Sequence, residues 1–237
     1  MRVTHVITRL IVGGAQENTI ASVLGLRRKP ELDVDLLSGP TYGPEGSLEP
    51  LLAKYPGILR TVPSLVRPLH PWKDWQALRQ LENTFKIRAP DIIHTHSGKA
   101  GILGRLAAAR AGVPIIVHTI RGPSFGPFQG ALPNLLFRAV ERYASKVTTH
   151  FVVVSNAMKR TYLNARIGQP EQYTKIFSGF ALEPFLNVRN DPKLRAKLGI
   201  GPGDIVVGKI ARLFKLKGHT DLIAIAPQLV RASRRRT

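Results

Sequence analysis

Residues 91–119 read DIIHTHSGKAGILGRLAAARAGVPIIVHT. A short β-rich run, DIIHTH, precedes a helical stretch, SGKAGILGRLAAARAG, and a second β-rich run, VPIIVHT, follows it. Ser97 can cap the start of the helix and Gly112 can end it. A strand, a helix and a strand in that order predict two parallel strands joined by a right-handed crossover.

The same alternation continues on both sides. Upstream, Val3 to Ile7 is a first strand, a glycine pair follows, and a helix runs from about Ala15 to Leu26. DVDLLSG (33–39) is a second strand, GSLEPLLAKY (46–55) a short helix broken at Pro56-Gly57, and ILRTV (58–62) a third strand. After Pro71 a helix carries Trp72, Trp75, Leu78, Leu81 and Phe85 at intervals of three and four, a stripe predicted to face the core. Downstream, the loop RGPSFGPFQG (121–130) leads to a helix through LPNLLFRAVERYAS (132–145). Then come the strand HFVVV (150–154), the helix SNAMKRTYLNA (155–165) capped by Ser155, and the strand YTKIF (173–177). This pattern specifies an α/β fold: a Rossmann-like parallel sheet with helices on both faces. Runs such as PIIV and FVVV fit strands buried on both sides.

The domain reading is residues 1–182 as one sheet domain, 183–203 as a linker, and 204–237 as the start of a second Rossmann-like unit. The linker holds a short helix, DPKLRAKLG, with Asp191 as cap and Gly199 as stop. IVVGKI (205–210) is predicted as the first strand of the second unit, followed by a turn and a helix.

Composition bounds the function. Hydrophobic content is 43% and charged content 21%, ordinary for a soluble globular chain. There is no cysteine, which excludes disulfides and thiolate metal sites and fits a reducing cytoplasm. Arg2 and Arg9 interrupt the apolar N-terminus, which lacks the pattern of a signal peptide. No apolar run approaches the ~20 residues that span a bilayer. The net charge of +20, from 35 Lys+Arg against 15 Asp+Glu, attracts anions: nucleic acid, an anionic membrane surface or phosphorylated small molecules.

Ligands of open parallel sheets sit at the carboxyl ends of the strands, and four stretches occupy such ends. Gly13-Gly14-Ala15-Gln16 puts two glycines before a helix N-terminus, where backbone N–H groups favour an anion. It is neither the dinucleotide fingerprint nor a P-loop. His94 and His96 share one face of a strand. They fit a metal pair, structural hydrogen bonding or a polar role in a cleft, and no suitably spaced third ligand stands near them. His118-Thr119-Ile120-Arg121-Gly122 ends a strand and enters the 121–130 loop, which fits either a mobile acceptor loop or a packed one. Arg212, Lys215 and Lys217 precede Gly218 at a strand-to-helix turn; an Arg fork with a Lys point charge suits a diphosphate.

Taken together, RLIVGGAQENT, HTHSGKAGILGR, VHTIRGPSFGPFQG, FVVVSNAMK and VGKIARLFKLKGHTDL resemble, in this order, the family 4 retaining glycosyltransferases of the GT-B fold. The resemblance implies two Rossmann-like domains, an N-terminal one for the acceptor and a C-terminal one for a nucleotide-diphosphate sugar. It implies that Gly13 and Gly14 reach the donor phosphates and that Arg212 and Lys217 clamp the departing diphosphate. Gln16, His96, Ser97 and Lys99 are assigned to the acceptor side of the cleft. His118 and Arg121 fall in the motif nearest the transferred sugar, with the departure that Arg121 stands where many relatives carry histidine. No metal and no cofactor are expected, because these cations do the work of a metal.

The function so implied is transfer of a sugar from a nucleotide-diphosphate sugar to a saccharide or lipid-linked acceptor, in polysaccharide assembly. The expected location is cytoplasmic, with peripheral contact to an anionic membrane as a further expectation. The family's acidic donor motif does not occur after Lys217, so the donor domain is expected to be cut short. Two rival readings are a non-catalytic acceptor-binding remnant, or subunit of a split enzyme, and a basic binder of nucleic acid or membrane surfaces. The aromatic stripe of residues 72–85, read as core-facing, argues against nucleic acid, and none is expected as a partner.

Overall fold

The computed structural model describes all residues except 97, 127, 181, 212, 214–216 and 235–237. It divides into two compact units, Met1–Ala181 and Leu182–Thr237.

The first unit is a seven-stranded sheet: β1 (Arg2–Ile7), β2 (Asp33–Ser38), β3 (Leu59–Thr61), β4 (Ile92–His96), β5 (Ile115–Ile120), β6 (His150–Val153) and β7 (Tyr173–Lys175). Every pairing is parallel, in the order β3-β2-β1-β4-β5-β6-β7. The helices between strands are α1 (Gly14–Arg27), α2 (Pro71–Arg88), α3 (Gly98–Arg110), α4 (Ala131–Ser145) and α5 (Asn156–Asn164). Glu49–Leu52 forms a single 3-10 turn. The predicted α/β architecture is the observed one.

Chain order reverses between β1 and β4. The chain therefore leaves the neighbouring carboxyl ends of these strands in opposite directions, which opens a crevice there. The helix α1 packs on one face with Val3, Ile7, Val34 and Leu36. On the other face α2 and α3 pack with Val6, Leu37, Ile93 and Ile116. Ile120, Phe151 and Val153 continue that face under Phe137 of α4 and Tyr162 of α5. Full burial of a Leu or Phe side chain stabilises by about 1.5–3 kcal/mol, and Leu81 and Phe85 of α2 are both wholly buried.

Small residues let α3 lie close to the sheet. Ala100, Gly101, Gly104, Ala107 and Ala108 are its buried positions, with Arg105. A Cβ at Gly104 would stand 2.8 Å from Thr95 Cγ2, and one at Gly101 would overlap the His118 ring.

Two helix caps read from sequence are formed. Ser155 accepts from the Met158 N–H, and Asp191 accepts from the N–H groups of Lys193 and Leu194. Ser97, the third, lies outside the described residues.

Three expectations are corrected. Trp72 and Trp75 do not face the core: they are 62% and 51% exposed and stack on each other at 5.0 Å. Ala77, Leu78, Leu81 and Phe85 pack inward, while Asp74 takes an ion pair with Lys99 of α3. The two indoles thus fall to one side of the packing stripe, and their position no longer argues against nucleic acid. The runs PIIV and FVVV are not buried on both sides. Ile116, Phe151 and Val153 are buried, but Ile115 is exposed and Val117 and Val152 are partly so. The cause is that α1 packs over β2 rather than over β5 and β6.

The third correction lies in the second unit, which contains α6 (Glu183–Leu186), α7 (Pro192–Lys197) and α8 (His219–Arg234). Residues 205–210 form no strand. A strand needs a neighbour for its N–H and C=O groups and a partner for its apolar face. Among the described residues of this unit there is no other strand, and Ile205, Val207 and Ile210 are exposed.

Candidate active site

Segments following β1, β5 and β7 border a cavity of about 610 Å3 in the first unit. Gly14 and Asn18 of α1 line one side, Ser178–Phe180 another, and Arg121 the carboxyl edge of the sheet. Ile20, Ala21, Leu24 and Leu51 continue the lining in apolar character. Asn18 Nδ2 donates to the Gly179 carbonyl at 2.6 Å and so fixes the 178–180 segment against α1.

The α1 N-terminus borders this cavity. Its cap residue is Gly13, in extended backbone, and no side chain caps the helix. The first-turn N–H groups of a helix carry its positive end, so an uncapped start is favourable for an anion. A Cβ at Gly14 would meet nothing within 4 Å. The position is open to the cavity rather than needed for packing.

Arg121 supplies a full positive charge at the same cavity. Burial pulls its pKa down to about 10, so it stays cationic at neutral pH. Its Nε is buried without a hydrogen-bond partner. A buried charged donor left unpaired costs about 1–3 kcal/mol or more, which an incoming anion would offset.

Beside Arg121 stands a group of three imidazoles that the sequence shows only as two. His5 lies directly opposite His94 in the β1–β4 register. His5 Nδ1 and His96 Nε2 are 2.9 Å apart, and His94 Nε2 contacts Thr119 Oγ1 at 2.6 Å. The third imidazole that spacing on β4 cannot supply comes from β1, because strand pairing brings it there. Among the described residues these three could hold a metal ion, their ligand atoms lying within 4.8 Å of one another. Burial lowers the pKa of all three, to about 4 for His94, and the charge of Arg121 lowers each further. The same charge opposes a second cation at this point. The neutral rings flank Arg121, with His5 and His96 hydrogen-bonded to each other and His94 to Thr119.

The remaining site residues read from sequence lie elsewhere. His118 is on the opposite face of the sheet, buried, with Nδ1 2.8 Å from Thr95 Oγ1 and its ring against Phe151. His96 is wholly buried and does not line the cavity. Lys99 is held by Asp74 at 2.5 Å and by the Pro68 carbonyl, away from the cavity lining. Gln16 is partly exposed beside Gly13. Lys217 is exposed and belongs to the second unit. Ser97 and Arg212 lie outside the described residues. Of the predicted residues, then, the cavity joins Gly14 and Arg121. Asn18 and Phe180 also line it; Asn18 falls within the stretch RLIVGGAQENT, where its residue type alone did not single it out, and no motif marks Phe180.

The loop after Arg121 is packed by a buried polar network. Arg105 of α3 and Glu141 of α4 pair at 2.6 Å, and Ser124 Oγ donates to Glu141 at 2.8 Å. Tyr162 OH accepts from the Ser124 N–H at 3.3 Å, and Gln129 Nε2 donates to the Ser124 carbonyl at 3.1 Å. The 121–130 loop is therefore tied at its centre.

Comparison with known proteins places the chain in a family. An α-1,3-galactosyltransferase of Escherichia coli, named for UDP-Gal and α-D-GlcNAc-diphosphoundecaprenol, is 35% identical over 157 residues, covering 66% of this chain and 41% of its own. The capsular polysaccharide biosynthesis glycosyltransferase CapM of Staphylococcus aureus is 25% identical over 201 residues, covering 83% of this chain and 50% of its own. The chain thus spans about half the length of the curated relatives it matches. Among solved structures, a glycosyltransferase from Rickettsia africae superposes with a TM-score of 0.70 at 18% identity, covering 96% of this chain and 57% of that one. The UDP-GlcNAc 2-epimerase of Neisseria meningitidis gives 0.55 at 13% identity, over 74% of this chain and 46% of its own. At such identities these two establish the fold alone. The model of the glycosyl transferase 4-like domain matches residues 13–176, more than half of the chain, and the chain belongs to that family.

Proposed function

We propose that this chain is the acceptor-side domain, with the first part of the donor side, of a glycosyltransferase acting on a nucleotide-diphosphate sugar and a saccharide or lipid-linked acceptor. The observation that carries the reading is Arg121, with its unpartnered buried Nε, facing the same 610 Å3 cavity as the uncapped N-terminus of α1. A cation and a helix N-terminus together suit a diphosphate. In the reaction the bond from the sugar's anomeric carbon to the diphosphate oxygen breaks, and the diphosphate leaves with the electron pair. The acceptor hydroxyl forms the new bond and gives up its proton. Retention of anomeric configuration belongs to this proposal. So do Arg212 and Lys217 as the clamp on the departing charge.

The relatives support this reading by what their names say: one is named for a UDP-sugar donor and a diphosphoundecaprenol acceptor, the other for capsular polysaccharide. Catalysis is then chiefly positioning and stabilisation of the leaving diphosphate. The test is calorimetric titration of the chain with UDP. A charge-assisted hydrogen bond contributes about 1.5–3 kcal/mol, so Arg121→Ala is expected to weaken binding roughly 10- to 100-fold. Equal affinity of the two proteins would remove Arg121 from the site.

A further inference from the structure

The helix α4 is turned the opposite way from an ordinary surface helix. Leu132, Leu135, Leu136 and Tyr143 recur on one side and are 77%, 63%, 55% and 62% exposed. Ala139, between them at helical spacing, is exposed as well. Phe128, just before the helix, is also exposed. The side facing the protein holds the charged residue: Glu141 is wholly buried and paired with Arg105. A soluble helix places its apolar stripe on the core and its charges in water. Here the buried ion pair fixes the reverse orientation, so the leucines cannot turn inward without separating Arg105 from Glu141.

We propose that this face docks on an anionic lipid bilayer, with α4 lying in the plane of the interface. The charges of α4 and of the whole chain select that partner. Glu141 is the sole carboxylate of α4 and is hidden, while the helix carries the partly buried Arg138 and Arg142 and is followed by the exposed Lys146 at its C-cap. The chain as a whole carries +20, so a second copy would be repelled where an anionic headgroup layer is attracted. Basic residues with a Leu and aromatic stripe are the pattern of a helix that lies on a membrane. Among the described residues no helix is long and apolar enough to cross one. The inference deepens the proposed function and rests on it in one respect: a lipid-linked acceptor is presented at a membrane surface, where a docked α4 would hold the cavity.

The experiment is flotation of the full chain with vesicles of phosphatidylcholine alone or mixed with phosphatidylglycerol. Leu135→Gln/Leu136→Gln alters no charge, and both side chains are exposed, so folding is checked by circular dichroism and expected unchanged. Wild type is expected on the mixed vesicles, and the variant at least 10-fold less bound. Equal binding of wild type and variant would show attraction by charge alone and overturn the proposal. So would wild-type chain that stays off the mixed vesicles, or a dimer in sedimentation that the double substitution abolishes without vesicle binding. UDP affinity, measured on the same two proteins, reports on the proposed function separately.

Discussion

Arg105 and Glu141, on neighbouring helices and both inaccessible to solvent, form an ion pair at 2.6 Å inside the first unit. Arg105 Nε also donates to the Gly101 carbonyl at 2.8 Å and its Nη1 to Thr148 Oγ1 at 3.3 Å. The other Glu141 oxygen accepts from Ser124. Each charge is thus hydrogen-bonded beyond its partner, the condition under which a buried pair is tolerated. Glu141→Leu leaves the guanidinium buried and unpaired, and is expected to destabilise by about 3–5 kcal/mol. The double substitution Arg105→Met/Glu141→Leu should recover most of that loss. Urea unfolding of wild type and the two variants measures both; a double variant no more stable than Glu141→Leu would show that the pair is not the relevant unit.

Gly101 is required by the approach of α3 to β5. The His118 ring, itself held by Thr95, fills the space where a Cβ would go. Gly101→Ala is expected to cost about 1–3 kcal/mol through overpacking. Gly25→Ala, where a Cβ meets nothing within 4 Å, serves as the control and should be neutral or slightly stabilising in the same helix-rich unit. Thermal unfolding distinguishes them. Two equal midpoints would mean that α3 has room to move.

Stability should fall on mild acidification. His5, His94, His96 and His118 all have folded-state pKa values below the ordinary 6.5, with burial the largest cause in each. The unfolded chain therefore binds protons first as pH drops through 6.5, which favours unfolding. For His94, lowered to about 4, the loss between pH 6.5 and 4 is on the order of 3 kcal/mol. The contribution is fully present above pH 6.5. Melting temperatures taken from pH 8 down to pH 5 should be level above 6.5 and fall below it. A flat profile through that range would mean that the buried rings are not held neutral.

At Gly14 fold and ligand can be separated. Beyond its chain neighbours and its own helix backbone, nothing lies within 4 Å of a Cβ there, so Gly14→Val should fold normally. Its branches enter the cavity at the helix N-terminus and should weaken UDP binding at least 10-fold. Calorimetry measures it, and unaltered UDP affinity in Gly14→Val would move the phosphates away from α1.

Much of the fold follows from the residue pattern. Seven strands and the five helices between them were readable because each is a local event: alternating short apolar runs, caps at Ser155 and Asp191, breakers at Gly112 and Pro56-Gly57. The strand expected at 205–210 did not form, since a strand is not local and its partners must come from elsewhere in the chain. Trp72 and Trp75 depart from their periodic pattern for a related reason. Periodicity places residues on a side of a helix, but the neighbour it packs against selects the side, and α3 with Lys99 selected the one through Asp74.

The sequence by itself determined the parallel sheet, the glycine turn at Gly13 and Gly14, and Arg121 at the end of a strand. Tertiary structure alone decided that Arg121 and Gly14 share a cavity, that His5 joins His94 and His96 across 89 residues of chain, and that the leucines of α4 face outward. The physical reason is common to all three. Strand order and register are set by long-range hydrogen-bonded pairing and by burial of charge, and neither leaves a mark in the spacing of neighbouring residues.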